Sequence, residues 1–261
     1  TVTLTGTDDP VTITDLTPAA QGGDASVDED DLPDGSDTDK ESLTQGGTFT
    51  ISAPDGVDDL TIDGHAVIAD GVFAATSFTT PLGHTLAVTG YDPVTGVVSY
   101  TYTLTDNEAH AAGNGENALF ESFEVVLPDT DGDSTGADLD IRIVDDVPVA
   151  NDDTAGLTEG GPISVTFDVD TNDVPGADGT GSRTFTSLAG VYGTIVLNGD
   201  GTQTYTLNAA GQAAIAALAP GAVLQDVFTY TLTDGDGDSD PATLTVTLTG
   251  TDDPVTITDL T

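Results

Sequence analysis

Two short acidic turns carry the chemistry in this sequence. Asp129-Thr-Asp131-Gly-Asp133-Ser and Asp234-Gly-Asp236-Gly-Asp238-Ser stand 105 residues apart. Carboxylates at every second position of a tight turn can converge on one point, which suits a hard cation that takes oxygen ligands. The segments around the turns offer the same donors: Asp8 and Asp9; Asp145 and Asp146; Asn151, Asp152 and Asp153; Asp168, Asp170, Asn172 and Asp173; Asp252 and Asp253. Together these are the candidate calcium ligands. The stretch Asp28-Glu-Asp-Asp31 with Asp34, Asp37 and Asp39 reads equally as an ion site or as a solvated loop. A lone Asp-Gly pair is an ordinary turn. What sets the two triads apart is their recurrence at matched positions.

An EF-hand is excluded. Counting from Asp129, the sixth position is Ser134 instead of Gly, the twelfth is Asp140 instead of Glu, and a strand pattern follows.

The elements that must position these groups are strands. In Leu244, Val246 and Leu248 the apolar residues alternate with Thr243, Thr245, Thr247 and Thr249, a half-buried strand with β-branched threonine outside. Similar runs cover 48–52, 97–105, 120–127, 139–144, 163–169, 193–198, 203–207 and 227–233. Turn residues such as Asn198-Gly-Asp-Gly separate them. One stretch, 208–218, is Ala-rich and predicts a short helix capped by Asn208 and stopped by Pro220-Gly. The matching stretch 106–117 reads as a loop. In a two-sheet sandwich the last strand runs toward the exit. The turn before it, Asp234–Asp240, therefore lies where the chain enters, as should Asp168–Asp173 and the linker 145–153. Bare, such groups repel: two charges about 4 Å apart interact by about 4 kcal/mol at an effective dielectric of 20. By the same argument Asp129, Asp131 and Asp133 are expected to face Asp8 and Asp9.

Repeats set the organisation. Residues 1–17 and 245–261 are identical, at an offset of 244. This is expected of a piece cut from a tandem array. Within that period, Phe123-x-Val-x-Leu aligns with Phe228-x-Tyr-x-Leu, and Tyr102-Thr-Leu with Tyr205-Thr-Leu. Pro10 to Pro148 spans 138 residues and Pro148 to Pro254 spans 106, each the size of one β-sandwich.

Composition excludes much else. The 261 residues carry 46 acids, 39 of them Asp, against three basic side chains, for a net charge of −43. Lys40, Arg142 and Arg183 cannot neutralise a nucleic-acid backbone or hold an anionic membrane. No apolar run is long enough to span a bilayer, so no direct membrane insertion is expected. The absence of Cys removes disulfides and thiolate chemistry. No signal peptide is visible; the chain opens on a strand pattern. Disorder and a halophilic surface are the competing readings of such charge. The clean alternation argues against disorder. Gathering of Asp with Gly and Asn in turns argues against a merely solvated surface.

No enzyme motif is present. His65, His84 and His110 lack metalloprotease spacing and are expected at the surface. GxSxG, P-loop and dinucleotide patterns are missing. Paired carboxylates abound, but a glycosidase cleft also needs stacking aromatics, which are 5% of residues and mostly alternate inward.

The order of these segments resembles a known family. Asn151-Asp152-Asp153, a strand ending in DVDTND, TQTYTL, an Ala-rich stretch and LAPGAVLQDVFTYTLTDGDGDSDPATLTVTLTGTDDP look like the VCBS or cadherin-like repeats of giant bacterial adhesins, across most of 147–254. The stretches GGDASVDEDDLPDGSDTDKESLTQGGTFTI and VVLPDTDGDSTGADLDIRIVDDVP resemble the longer repeats of the same type I-secreted proteins. The glycine-rich nonapeptides of RTX proteins do not occur here. The resemblance implies an all-β chain of tandem Ig-like/cadherin-like β-sandwich domains, end to end in a rod. Residues 1–9 would close a preceding repeat, 10–146 form an Ig-like extender domain, 147–252 a VCBS/cadherin-like one, and 253–261 begin the next. It further implies an extracellular, monomeric, calcium-loaded extender at the bacterial surface, whose partners are neighbouring repeats of the same chain and whose role is in adhesion and biofilm formation. A calcium-dependent carbohydrate-binding module, with one calcium left open to sugar hydroxyls, is the alternative.

Overall fold

The computed structural model describes residues 9–113 and 115–252. The chain divides into two compact units, Thr1–Asp146 and Val147–Thr261. Among the described residues the first unit is all-β apart from short 3-10 turns, and the second adds one α-helix.

The first unit contains β1 (Thr12–Thr14), β2 (Ala25–Asp28), β3 (Thr44–Ser52), β4 (Leu60–Ile62), β5 (His65–Ala69), β6 (Val72–Phe73), β7 (Thr76–Thr79), β8 (Thr85–Tyr91), β9 (Val97–Thr103), β10 (Ala118–Pro128) and β11 (Ser134–Val144). One sheet has the order β1-β3-β9-β8-β7 and the other β2-β11-β10-β4-β5-β6. Alternation builds the core. Phe123, Val125 and Leu127 of β10, Leu139, Ile141 and Ile143 of β11, and Phe49, Val98 and Tyr102 of the facing sheet are fully buried. Two hairpins, β4–β5 and β5–β6, turn on Asp63-Gly64 and Asp70-Gly71. All four of these residues have positive φ, as a tight two-residue hairpin turn requires.

The second unit contains β12 (Asp153–Thr158), β13 (Ser164–Phe167), β14 (Thr180–Phe185), β15 (Gly193–Leu197), β16 (Gln203–Leu207), α1 (Ala209–Ile215), β17 (Val223–Asp234) and β18 (Ser239–Thr249). Its sheets run β12-β18-β17-β14 and β13-β16-β15. Leu244, Val246 and Leu248 are buried beside Phe228, Tyr230 and Tyr205. The Asn208 side chain caps α1 by accepting from Gly211 N at 2.8 Å. Helical structure stops at Ile215, earlier than residue 218, and closes in tighter turns. The strand expected over 163–169 ends at Phe167, because the Asp168 side chain accepts from Asp170 N and starts a 3-10 turn.

One topological feature positions the acidic segments. β12 pairs with β18 in parallel, with Asp153 opposite Leu244. The linker therefore delivers its residues beside the start of β18, next to the turn that precedes it. In the first unit β2 pairs in parallel with β11 in the same way.

Candidate metal centres

The β10–β11 and β17–β18 turns are built alike. Asp129 N donates to Asp133 O at 2.9 Å, and Asp234 N to Asp238 O at 3.0 Å. Asp129 Oδ1 accepts from the N–H groups of Asp131, Gly132 and Asp133. Asp234 Oδ1 accepts from those of Gly237 and Asp238. Gly132 and Gly237 both have φ +110°, a backbone that an L side chain would strain. One carboxylate oxygen of the first Asp is thus consumed by the turn. The other, Asp129 Oδ2 or Asp234 Oδ2, is buried with no hydrogen-bond partner among the described residues, and so is Asp236 Oδ2. A buried carboxylate oxygen without a donor is costly, and a hard cation with oxygen ligands is the group that fits it.

The two turns gather different partners. Asp234, Asp236 and Asp238 come together within a single turn, their ligand atoms within 4.8 Å of one another. In the first unit the cluster is Asp55, Asp129 and Asp131. Asp55 lies in the turn after β3, held there by Thr130, whose Oγ1 donates to Asp55 O at 2.6 Å and whose N donates to Gly56 O at 3.1 Å. Asp133 is half-buried and outside this cluster. Asp9 and Asp252 are exposed, while Asp8 and Asp253 fall outside the described residues.

The electrostatics diverge accordingly. Burial raises the Asp234 pKa to about 6, and the neighbouring Asp236 adds to the rise. For Asp129 burial also pushes upward, but the hydrogen bonds from Asp131, Gly132 and Asp133 outweigh it and the net direction is down.

The linker and the Asp168–Asp173 turn meet as expected within the second unit. Asn151 N donates to Asp173 Oδ1 at 2.7 Å, and Asn151 Nδ2 to Asn172 O at 2.7 Å. The Tyr230 hydroxyl lies 2.9 Å from Asp153 Oδ2 and 3.1 Å from both Asp173 oxygens. Burial raises the pKa of both acids; repulsion from Asp173 and Asp152 adds to the rise at Asp153, and repulsion from Asp240 and Asp168 adds to it at Asp173. Asp152 Oδ1 accepts from Thr243 N and Oγ1. Asp240 joins through Ala150 N at 2.9 Å. Asp170 turns away from this group into an ion pair with Arg183.

Asp145 and Asp146 are both buried. Asp146 accepts from Ser36 N at 2.8 Å and from Ser36 Oγ. Asp145 Oδ2 accepts from Asn117 Nδ2 at 2.8 Å. In the stretch 28–39, Glu29–Asp31 form a 3-10 turn, and Asp30, Asp31 and Asp37 cluster. Burial and the adjacent Asp30 raise the Asp28 pKa to about 7.

The expectation that all three histidines lie at the surface is corrected. Only His65 is exposed. The side chains of His84 and His110 are fully buried, because both face carboxylates: His84 Nε2 lies 3.3 Å from Glu108 and His110 Nε2 3.2 Å from Glu29. Burial alone would lower the His110 pKa, but the Glu29 contact holds it up at about 9.

Two buried acids that sequence reasoning passed over are structural. Asp226 accepts from the N–H groups of Val191, Tyr192 and Gly193 and from the Tyr205 hydroxyl. Glu121, at the matching position of the first unit, accepts from Leu82 N and the Tyr102 hydroxyl. The signal available was an acid at an inward position of an alternating strand.

With this geometry in view, the relatives can be placed. Residues 145–250 match the bacterial cadherin-like domain. The second unit is thus similar to a bacterial cadherin-like domain over nearly its whole described length. No curated protein matches the chain. Among solved structures, the protocadherin gamma B7 cadherin domains 1–4 are 12% identical (TM-score 0.33, 88% of this chain and 50% of that one). Drosophila N-cadherin EC1-4 is 14% identical (TM-score 0.30, 87% and 47%). The Ig1-2 module of the Drosophila receptor protein tyrosine phosphatase DLAR is 10% identical (TM-score 0.25, 93% and 99%). Likenesses of this order say nothing of function. The chain spans about half the length of the two cadherin structures. Among the described residues no helix is long and apolar enough to cross a membrane.

Proposed function

We propose that this chain is a calcium-rigidified extender module of a bacterial surface adhesin of the type I-secreted RTX kind. It projects ligand-binding domains from the cell for adhesion and biofilm formation. The extender domains are residues 10–146 and 147–252, and their partners are neighbouring repeats of the same monomeric chain. The observation that carries this reading is the recurrent turn with a buried, unpartnered carboxylate oxygen, at Asp129 in one unit and Asp234 in the other. Calcium would supply the positive charge these oxygens lack; Asp55, Asp129 and Asp131 would hold it in the first unit and Asp234, Asp236 and Asp238 in the second. The match of residues 145–250 to a cadherin-like domain supports the assignment. Small-angle scattering and thermal unfolding across a calcium titration test it. The expected result is a chain that stiffens and gains stability in the same concentration range. Solution dimensions and a thermal midpoint that both ignore calcium would sink the reading.

A further inference from the structure

One cluster in the first unit differs in kind from the others. Glu29, His110 and Asp145 each offer a ligand atom, all within 4.8 Å of one another, and all three side chains are buried. They come from three distant segments: the 3-10 turn after β2, the loop 106–117, and the end of β11. The donor set is one imidazole nitrogen and two carboxylates. Calcium takes six to eight oxygens and has little use for imidazole, whereas zinc and cobalt favour this mixture.

The wiring around the cluster is that of an oriented ligand set. His110 Nδ1 lies 3.3 Å from Asn117 Oδ1, while Asn117 Nδ2 donates to Asp145 Oδ2 at 2.8 Å. A single amide thereby fixes both the ring and the carboxylate, and leaves His110 Nε2 facing Glu29. Metal-ligating histidines are commonly held this way, with the second ring nitrogen donating to a carbonyl. The independent sign of a missing cation is Glu29. It is 0% exposed; Oε1 accepts from Glu108 N at 2.7 Å, but Oε2 has no hydrogen-bond partner among the described residues. Charge points the same way. Near neutral pH His110 is an imidazolium paired with Glu29; once a metal displaces its proton, the two buried carboxylates carry −2, which one divalent ion cancels. In a tetrahedral zinc site the ligand atoms stand about 3.4 Å apart, so modest side-chain rotations from the present spacing close the set.

We propose that Glu29, His110 and Asp145 form a site for a transition-metal dication of the zinc class, separate from the oxygen-only calcium sites, with Asn117 as its positioning residue.

The test is a titration of the full chain with zinc, and with cobalt as a spectroscopic stand-in, in excess calcium. At about pH 8 the imidazole sheds its proton to the metal more readily. Excess calcium keeps the oxygen sites occupied, so failure here is distinct from failure of the calcium reading. The expected result is a calcium-resistant binding event that shifts the His110 ring resonances and leaves those of His84 and His65 in place. His110→Gln should abolish that event, and Asn117→Ala should weaken it by about 10–100-fold without changing calcium affinity. The wild-type ring resonances decide the matter even if a variant fails to fold. The proposal is overturned if zinc leaves the His110 ring unmoved, if calcium displaces the metal competitively, or if folded His110→Gln binds zinc as the wild type does.

Discussion

The β10–β11 and β17–β18 turns share spacing, a glycine at φ +110° and the same hydrogen-bonded frame, yet they solve the charge problem differently. The second turn is self-contained: Asp234, Asp236 and Asp238 supply all three carboxylates, and two of them are nearly fully buried. The first is completed from elsewhere, by Asp55. With no cation bound this inverts the preferred protonation of the leading Asp: Asp234 is pushed toward the neutral form and Asp129 held in the ionised one. A shared motif therefore sets the local backbone, while its surroundings set its electrostatics.

The largest effect that would sharpen this contrast is calcium removal. A site at one hundred times its dissociation constant contributes about 2.7 kcal/mol. Chelation should therefore lower the thermal midpoint markedly. Hydrogen exchange at residues 234–238 should respond at lower calcium than at 129–133, because the self-contained cluster needs no second segment to be docked. The reverse order would break the comparison.

The matched buried acids give the next largest effect. Tyr102→Phe leaves Glu121 with Leu82 N alone, whereas Tyr205→Phe leaves Asp226 with three backbone donors. A buried acceptor stripped of a partner costs about 1–3 kcal/mol, so denaturant unfolding should show the greater loss for Tyr102→Phe. Equal losses would mean that the two acids are held alike.

Charge removal is smaller and differs in sign between the units. Without calcium, Asp234→Asn should be neutral or stabilising near neutral pH, since it removes a charge the site disfavours. Asp129→Asn should destabilise, since its hydrogen bonds favour the anion. In saturating calcium both should lose the calcium-dependent rise in midpoint. A stabilising Asp129→Asn would refute the assigned electrostatics.

The smallest effect is a pH slope in chelator. The folded pKa of Asp234 is raised from 3.8 to about 6. Its contribution is then fully present below about pH 4 and fades as pH rises through about 6. Asp129, with its pKa lowered, contributes in the opposite sense: present above 3.8 and lost on acidification below it. Opposite local slopes by hydrogen exchange between pH 3 and 7 are the expected readout; parallel slopes would erase the distinction.

Legibility in the sequence followed the range of the interactions. Strands with long alternation, such as Leu244, Val246 and Leu248, were readable because burial on one face imposes period two. The short strands β4 to β7 were not, since two to five residues give no period. Their Asp63-Gly64 and Asp70-Gly71 turns were the stronger signal, and those aspartates build hairpins. His84 and His110 were misplaced because the carboxylates that hold them come from remote or loop positions. The meeting of Asn151 with Asp173 was inferable from strand direction alone, because the last strand must begin where the chain enters.

What the sequence determined by itself is the all-β alternation, the helix capped by Asn208 and the twin acidic turns, all set by contacts within a few residues. The tertiary structure decided which acids can serve a cation and which are hydrogen-bond anchors. Asp55 reaches Asp129 across 74 positions, and Asp226 is surrounded by four donors where Asp234 keeps one oxygen unpartnered beside two other carboxylates. A carboxylate's role depends on its burial and its partners, and neither is written in the residue.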